Sequence, residues 1–196
     1  MHPKWSSPLL LALAIASILL SACGDRGAPP ANSNADGSPT GIRELDAVIS
    51  AALSGDTSAI LPYVEYTRTT CTTEQGLGGP PRCLVGEHDG TPVSVLPFLG
   101  SEGSFLREID APGWVAPPLT RLYAAYKVSD AAYSDPDYPA GEYALVFASG
   151  ETSPSPVTLQ VTQGRIVRID YGAGWPPQIP AEAVLEYVAT PQVGTP

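Results

Sequence analysis

The chain has 196 residues, 43% of them hydrophobic, with 20 acidic against 10 basic side chains and a net charge of −10. That length holds one domain with its own core once terminal segments are set aside. The basic residues form no patch, so the counterion exchange that drives nucleic-acid binding has nothing to act through, and the acidic surface is repelled by an anionic membrane leaflet.

Residues 1–22 read "MHPKWSSPLLLALAIASILLSA": a polar start with Lys4, an apolar run from Leu9 to Leu20 broken only by Ser17, then small residues. This is the layout of an export signal. The run is shorter than the roughly 20 residues a membrane-spanning helix requires. "LLSACGD" resembles the lipobox of bacterial lipoproteins, in which the Cys, here Cys23, becomes the lipid-bearing first residue of the mature protein. The resemblance implies a protein held by lipid on the outer face of a bacterial membrane. Residues 23–40 are rich in Gly, Pro, Ser and Asn and read as a flexible tether. A domain is expected over 41–190, with a disordered tail at 191–196.

In "TGIRELDAVISAALSG", Ile42, Leu45, Val48, Ile49, Ala52 and Leu53 fall on one helical face, and Gly55 is placed to stop the helix. Asp56 is positioned to cap a second short turn through Ile60 and Leu61, which Pro62 bends or ends.

Cys71 and Cys83 follow, at the ends of a loop rich in Gly and Pro. With Cys23 lipidated they make an even pair in an oxidising compartment, and a disulfide is expected. A zinc site needs about four N or S ligands, and the mature chain has one histidine, His88. A Walker-type phosphate loop needs Lys and Ser or Thr where Pro80 and Pro81 stand. No metal and no cofactor are expected.

Strands are predicted from Thr91 ("TPVSVLPF"), Leu119 ("LTRLYAAYKVS"), Glu142 ("EYALVFAS") and Pro156 ("PVTLQVTQGRIVRIDYG"), the last with a turn at Gln163 and Gly164. Val157, Leu159 and Val161 alternate with polar residues, so one face is buried and the other is wet. "PAEAVLEYVA" fits either a short helix or an edge strand. This order gives an α+β fold: an N-terminal helix pair packed on a curved antiparallel sheet, in a single domain with one disulfide loop. The order, with Gly55–Asp56 after the opening helix and "GRIV" at Gly164 to Val167, resembles the nuclear transport factor two-like (cystatin-like) cone. The Cys71 to Cys83 loop and the proline-dense middle depart from that pattern. The resemblance implies a cavity able to take a small molecule or to serve catalysis.

"GEHDG" gathers Glu87, His88 and Asp89, a polar spot that reads as a weak cation or acid–base site or as a solvated turn. As the mature chain's one histidine, His88 is its ordinary candidate for a neutral-pH base. Asp130, Asp135, Asp137 and Glu142 offer oxygen ligands to calcium, but Pro139 and Ala140 break the register such a loop needs. Tyr123, Tyr126, Tyr143, Tyr171, Trp114 and Trp175 suit strand packing or a ligand pocket with apolar walls and polar tips. No nucleophile motif such as G-x-S-x-G is present, and no catalytic residue is assigned. The expectation is a lipid-anchored envelope protein that binds a small ligand or an envelope partner without catalysis. The alternatives are a small pocket hydrolase or isomerase and a structural component of the envelope.

Overall fold

A computed structural model of the chain describes residues 38–192 apart from 75 and 77. Cys23 and its lipobox lie outside the described residues, as do most of the tether and of the 191–196 tail. No helix among the described residues is long and apolar enough to cross a membrane.

The first helix, α1 (Arg43–Leu53), forms where the apolar period requires it, burying Leu45, Val48, Ile49 and Ala52. Leu53 departs from that face and is 38% exposed. Ile42 at the N-cap offers no side-chain bond. Asp46 reaches back instead, accepting from Ser38 and from the amide (3.0 Å) and hydroxyl (2.7 Å) of Thr40. That places a carboxylate at the positive end of the helix. Gly55, at φ +72°, ends it in a conformation that costs other residues a Cβ clash. Asp56 then caps α2 (Thr57–Ile60), accepting from the Ser58 amide at 2.8 Å, and a 3₁₀ turn over Leu61–Tyr63 follows at Pro62.

An eight-stranded sheet makes up most of the remainder: β1 (Thr67–Thr70), β2 (Pro92–Leu99), β3 (Ser104–Arg107), β4 (Leu119–Val128), β5 (Tyr143–Ser149), β6 (Ser155–Thr162), β7 (Arg165–Tyr171) and β8 (Val184–Ala189). The order is β1-β2-β7-β6-β5-β4-β8, with β3 also on β2. The fold is therefore α+β, with short helices and one sheet. Residues 180–189, compatible with helix or strand in sequence, contain a 3₁₀ turn (Ala181–Ala183) and then edge strand β8 beside β4.

The expectation of an all-antiparallel sheet needs one correction. β2 and β7 run parallel through Phe98↔Ile169 and Leu99↔Asp170. Four strands separate them in sequence, and only a long connection brings two strands side by side in the same direction.

β6 and β7 are joined as predicted at Gln163 (φ +50°) and Gly164 (φ +72°), a two-residue turn whose twist matches that of the flanking strands. Gln160 pairs with Arg168 but Val161 pairs with Ile166, so Val167 is an extra residue, a β-bulge. Ile166 and Ile169 consequently share one face despite their odd spacing. They join one buried cluster with Leu96, Leu145, Phe147, Val157, Leu159 and Val161 of the sheet and with Leu45, Val48, Ile49, Ala52 and Ile60 of the helices. Each fully buried aliphatic or aromatic side chain there contributes about 1.5–3 kcal/mol.

Cys71 and Cys83 form the expected disulfide, with Cα atoms 4.9 Å apart. Cys71 is buried against Val93 and Val95, with Cys83 and Phe105 beside them. The loop closes through Thr72 N–H to Pro81 O and Cys83 N–H to Thr72 O, both 2.9 Å. The crosslink thus ties the loop to β2 and β3 rather than leaving it free. Changing Cys71 to Ser is expected to cost about 3 kcal/mol through the unfolded chain. Urea denaturation under oxidising conditions checks this, and an unchanged midpoint would contradict it.

Candidate functional site

Alternation along a strand gives the sheet a second face, and register lines up what stands on it. One row runs Tyr187, Tyr126, Ala144, Gln160 and Arg168 across β8, β4, β5, β6 and β7. The next runs Val146, Thr158 and Asp170 across β5, β6 and β7. From these rows Tyr126, Val146, Thr158, Gln160, Arg168 and Asp170 line a cleft of about 900 Å³, together with Tyr133 and the Gly172–Pro180 segment. None of the fully buried members of the main core cluster lines it.

The β6 and β7 side of the cleft is polar. The Arg168 side chain is only 4% exposed. Its Nε donates to Asp170 Oδ1 at 2.6 Å and its Nη2 to Asp170 Oδ2 at 3.0 Å. Its Nη1 donates to the carbonyls of Tyr138 (2.6 Å) and Tyr133 (3.3 Å). Gln160 donates to Asp170 Oδ2 at 2.9 Å and accepts from the Gly141 amide at 3.1 Å. A charge this deep persists only when paired and hydrogen-bonded, which this network achieves.

The β4 and β5 side is aromatic and aliphatic. Tyr126 and Val146 lie in a cluster with Ala124, Ala144 and the partly buried Ile179 and Val184. Burial, with the Asp170 charge as a lesser cause, pushes the Tyr126 hydroxyl up to about 12. It therefore stays protonated throughout the physiological range. Tyr133 stands 58% exposed with the Arg168 guanidinium 5.8 Å from its ring centre, a cation–π contact that holds the ring at the cleft. Trp175 is held by Arg121 at 5.2 Å and by the edge of Tyr123.

The tyrosines and tryptophans named from sequence divide between the two faces. Tyr126, Tyr171 and Trp175 line the cleft, Tyr123 supports Trp175, and Tyr143 and Trp114 pack against the main core. Arg168, Asp170 and Gln160 were not singled out. Their signal is the i, i+2 spacing of Arg168 and Asp170 in "IVRIDY", facing a Thr and a Gln spaced the same way in "VTLQV".

The polar turn lies elsewhere, and its three residues do not converge. Glu87 accepts from Arg107 Nη2 at 2.6 Å and Nη1 at 2.8 Å and from the Leu84 amide at 2.7 Å. The Arg107 bonds, then the Leu84 amide, pull its carboxyl down to about 2, and the same pairing raises Arg107. Arg107 Nε is buried without a hydrogen-bond partner among the described residues. Asp89 accepts from the Thr73 amide and the Thr72 hydroxyl, both at 2.9 Å, which lowers its pKa. His88 is exposed, and its backbone bonds Thr91. The two carboxylates thus brace the disulfide loop.

Among the described residues one group has metal-ligand spacing, Cys71, Cys83 and Glu87, and its sulfurs are joined to each other. Of the acidic residues considered for calcium, Asp135 accepts from the Asp137 amide, Asp137 from Thr69, and Glu142 from the Gln163 amide.

Glu87 has a depressed folded-state pKa, so its stabilisation is fully present above the unfolded value of 4.5 and is lost as pH falls through about 2. Urea midpoints compared between about pH 5 and about pH 2 are expected to fall further in the wild type than in Glu87→Gln. Equal falls would show that the ion pair carries none of the acid sensitivity. No family model, curated protein or solved structure matches this chain.

Proposed function

We propose that this chain is a lipid-anchored envelope protein that binds a small ligand in the cleft above Gln160, Arg168 and Asp170, without catalysing its conversion. The observation that carries the reading is the commitment of the cleft's ionic groups to each other. Arg168 commits four of its five N–H donors to Asp170 and two carbonyls, and burial keeps the Tyr126 hydroxyl protonated up to about 12. Acid–base catalysis needs a group poised to exchange a proton near the working pH. An arrangement of fixed dipoles beside an apolar wall favours recognition instead. His88, the candidate base of the enzyme reading, lies in the exposed turn between Cys83 and β2 and does not line the cleft.

Anchoring through Cys23 is supported by the signal and "LLSACGD". The Cys71–Cys83 disulfide accords with an oxidising compartment. We take α1 and α2 to be the helix pair covering one face of a curved, cone-like sheet, which their shared cluster with Leu145, Phe147 and Leu159 supports. In that arrangement the helix side is filled by side chains and the ligand site is on the other side.

Two measurements check the proposal. Changing Cys23 to Ser is expected to move the protein from the membrane to the soluble fraction, and continued membrane fractionation would refute lipid anchoring. Native mass spectrometry of the mature protein is expected to show an added mass that vanishes on denaturation. A bare mass from freshly exported protein would favour a protein partner or a structural role.

A further inference from the structure

We infer that the cleft ligand is a neutral saccharide, an inference that rests on the cleft being the binding site. The argument begins with shape. A sugar ring has an apolar face of C–H groups and an edge of hydroxyls, so its complement is an aromatic or aliphatic wall beside a row of fixed hydrogen-bonding groups. The cleft has both parts: the accessible rings of Tyr171 and Trp175 in its lining, with Tyr126 and Val146 nearly buried beneath, and Thr158, Gln160 and Asp170 as the polar side. Tyr133 supplies a further ring that is more than half exposed and is steadied by Arg168.

Charge narrows the class. Arg168 and Asp170 are the charged side chains of the cleft, and they form a two-point pair of opposite sign. An anionic ligand would bring net charge to a pair that is already neutral and would find at most one N–H of Arg168, the other four being bonded to Asp170 and to the Tyr133 and Tyr138 carbonyls. A cation would compete with Arg168 for Asp170 and leave a buried guanidinium short of acceptors. Hydroxyl donors impose neither cost. Asp170 retains one of its roughly four lone-pair sites beyond its three accepted bonds, and its side chain is 23% exposed.

The test is saturation-transfer NMR on the full-length protein in a sugar-free detergent. The probes are the tetramer of N-acetylglucosamine, maltotetraose and, as the charged comparator, an oligogalacturonate. A neutral tetramer is expected to bind saturably, with affinity unchanged by added salt because no net charge is neutralised. Tyr133→Ala, at an exposed site, is expected to weaken it about tenfold, and Asp170→Asn likewise. Should Asp170→Asn fail to fold, with Arg168 left short of a partner, Tyr133→Ala still decides.

Absence of binding by both neutral probes at millimolar concentration would overturn the inference, as would preference for the oligogalacturonate or binding indifferent to Tyr133→Ala. A different ligand retained in native mass spectrometry and lost in Tyr133→Ala would overturn the saccharide assignment while leaving the cleft as the site. Absence of any cleft-dependent ligand would overturn both.

Discussion

Arg168 carries its charge on a sheet face where water scarcely reaches it, and a buried guanidinium is tolerated only when its donors find acceptors. Asp170 cannot satisfy all of them alone. The carbonyls of Tyr133 and Tyr138 must come to Nη1, which draws the segment between β4 and β5 over the end of β7. Gln160, bonded to Asp170, in turn holds the Gly141 amide just before β5. One buried charge thereby positions three strands and a long connection, and the cleft is the space left beside them.

The other face is organised by volume rather than by charge. Phe147, Leu145, Leu159 and Ile169 meet the apolar stripe of α1 in one cluster, a non-directional interaction proportional to area removed from water. At the β1 end, where the loop from Cys71 to Cys83 supplies little apolar area, a covalent bond and the Glu87–Arg107 pair replace it. The three regions use different physics, and each suits what the local sequence offers.

Local patterns were the legible part of the sequence. The 3.6-residue period of Leu45, Val48, Ile49 and Ala52 marked α1. The alternation of Val157, Leu159 and Val161, with Gln163 and Gly164 after it, marked the β6–β7 hairpin. β1 ("TRTT") and β3 ("SFLR") are not legible, because four residues, none apolar in the first and only two in the second, are too short to show a period until β2 lies beside them. The parallel β2–β7 pairing is a contact between distant segments, and no local signal encodes it. The cleft was hidden for the same reason. Tyr126, Gln160 and Arg168 become neighbours only through the registers of three strand pairs, one of them displaced by the Val167 bulge. "GEHDG" drew notice because its polar residues are adjacent in sequence, yet adjacency in a turn sent Glu87 and Asp89 to different partners.

The bulge at Val167 has an evolutionary implication. By resetting the phase of β7 it separates residues that fill the interior, Ile166 and Ile169, from residues that face the cleft, Arg168 and Asp170. On β6 the same division places Leu159 inward and Thr158 and Gln160 outward. Of the cleft-facing positions, Thr158 can therefore change while the hydrophobic interior stays as it is, whereas Gln160, Arg168 and Asp170 also hold the connection between β4 and β5. The two faces thus tolerate change differently: the inner one only where volume is conserved, the outer one wherever a side chain stands outside the Arg168 network.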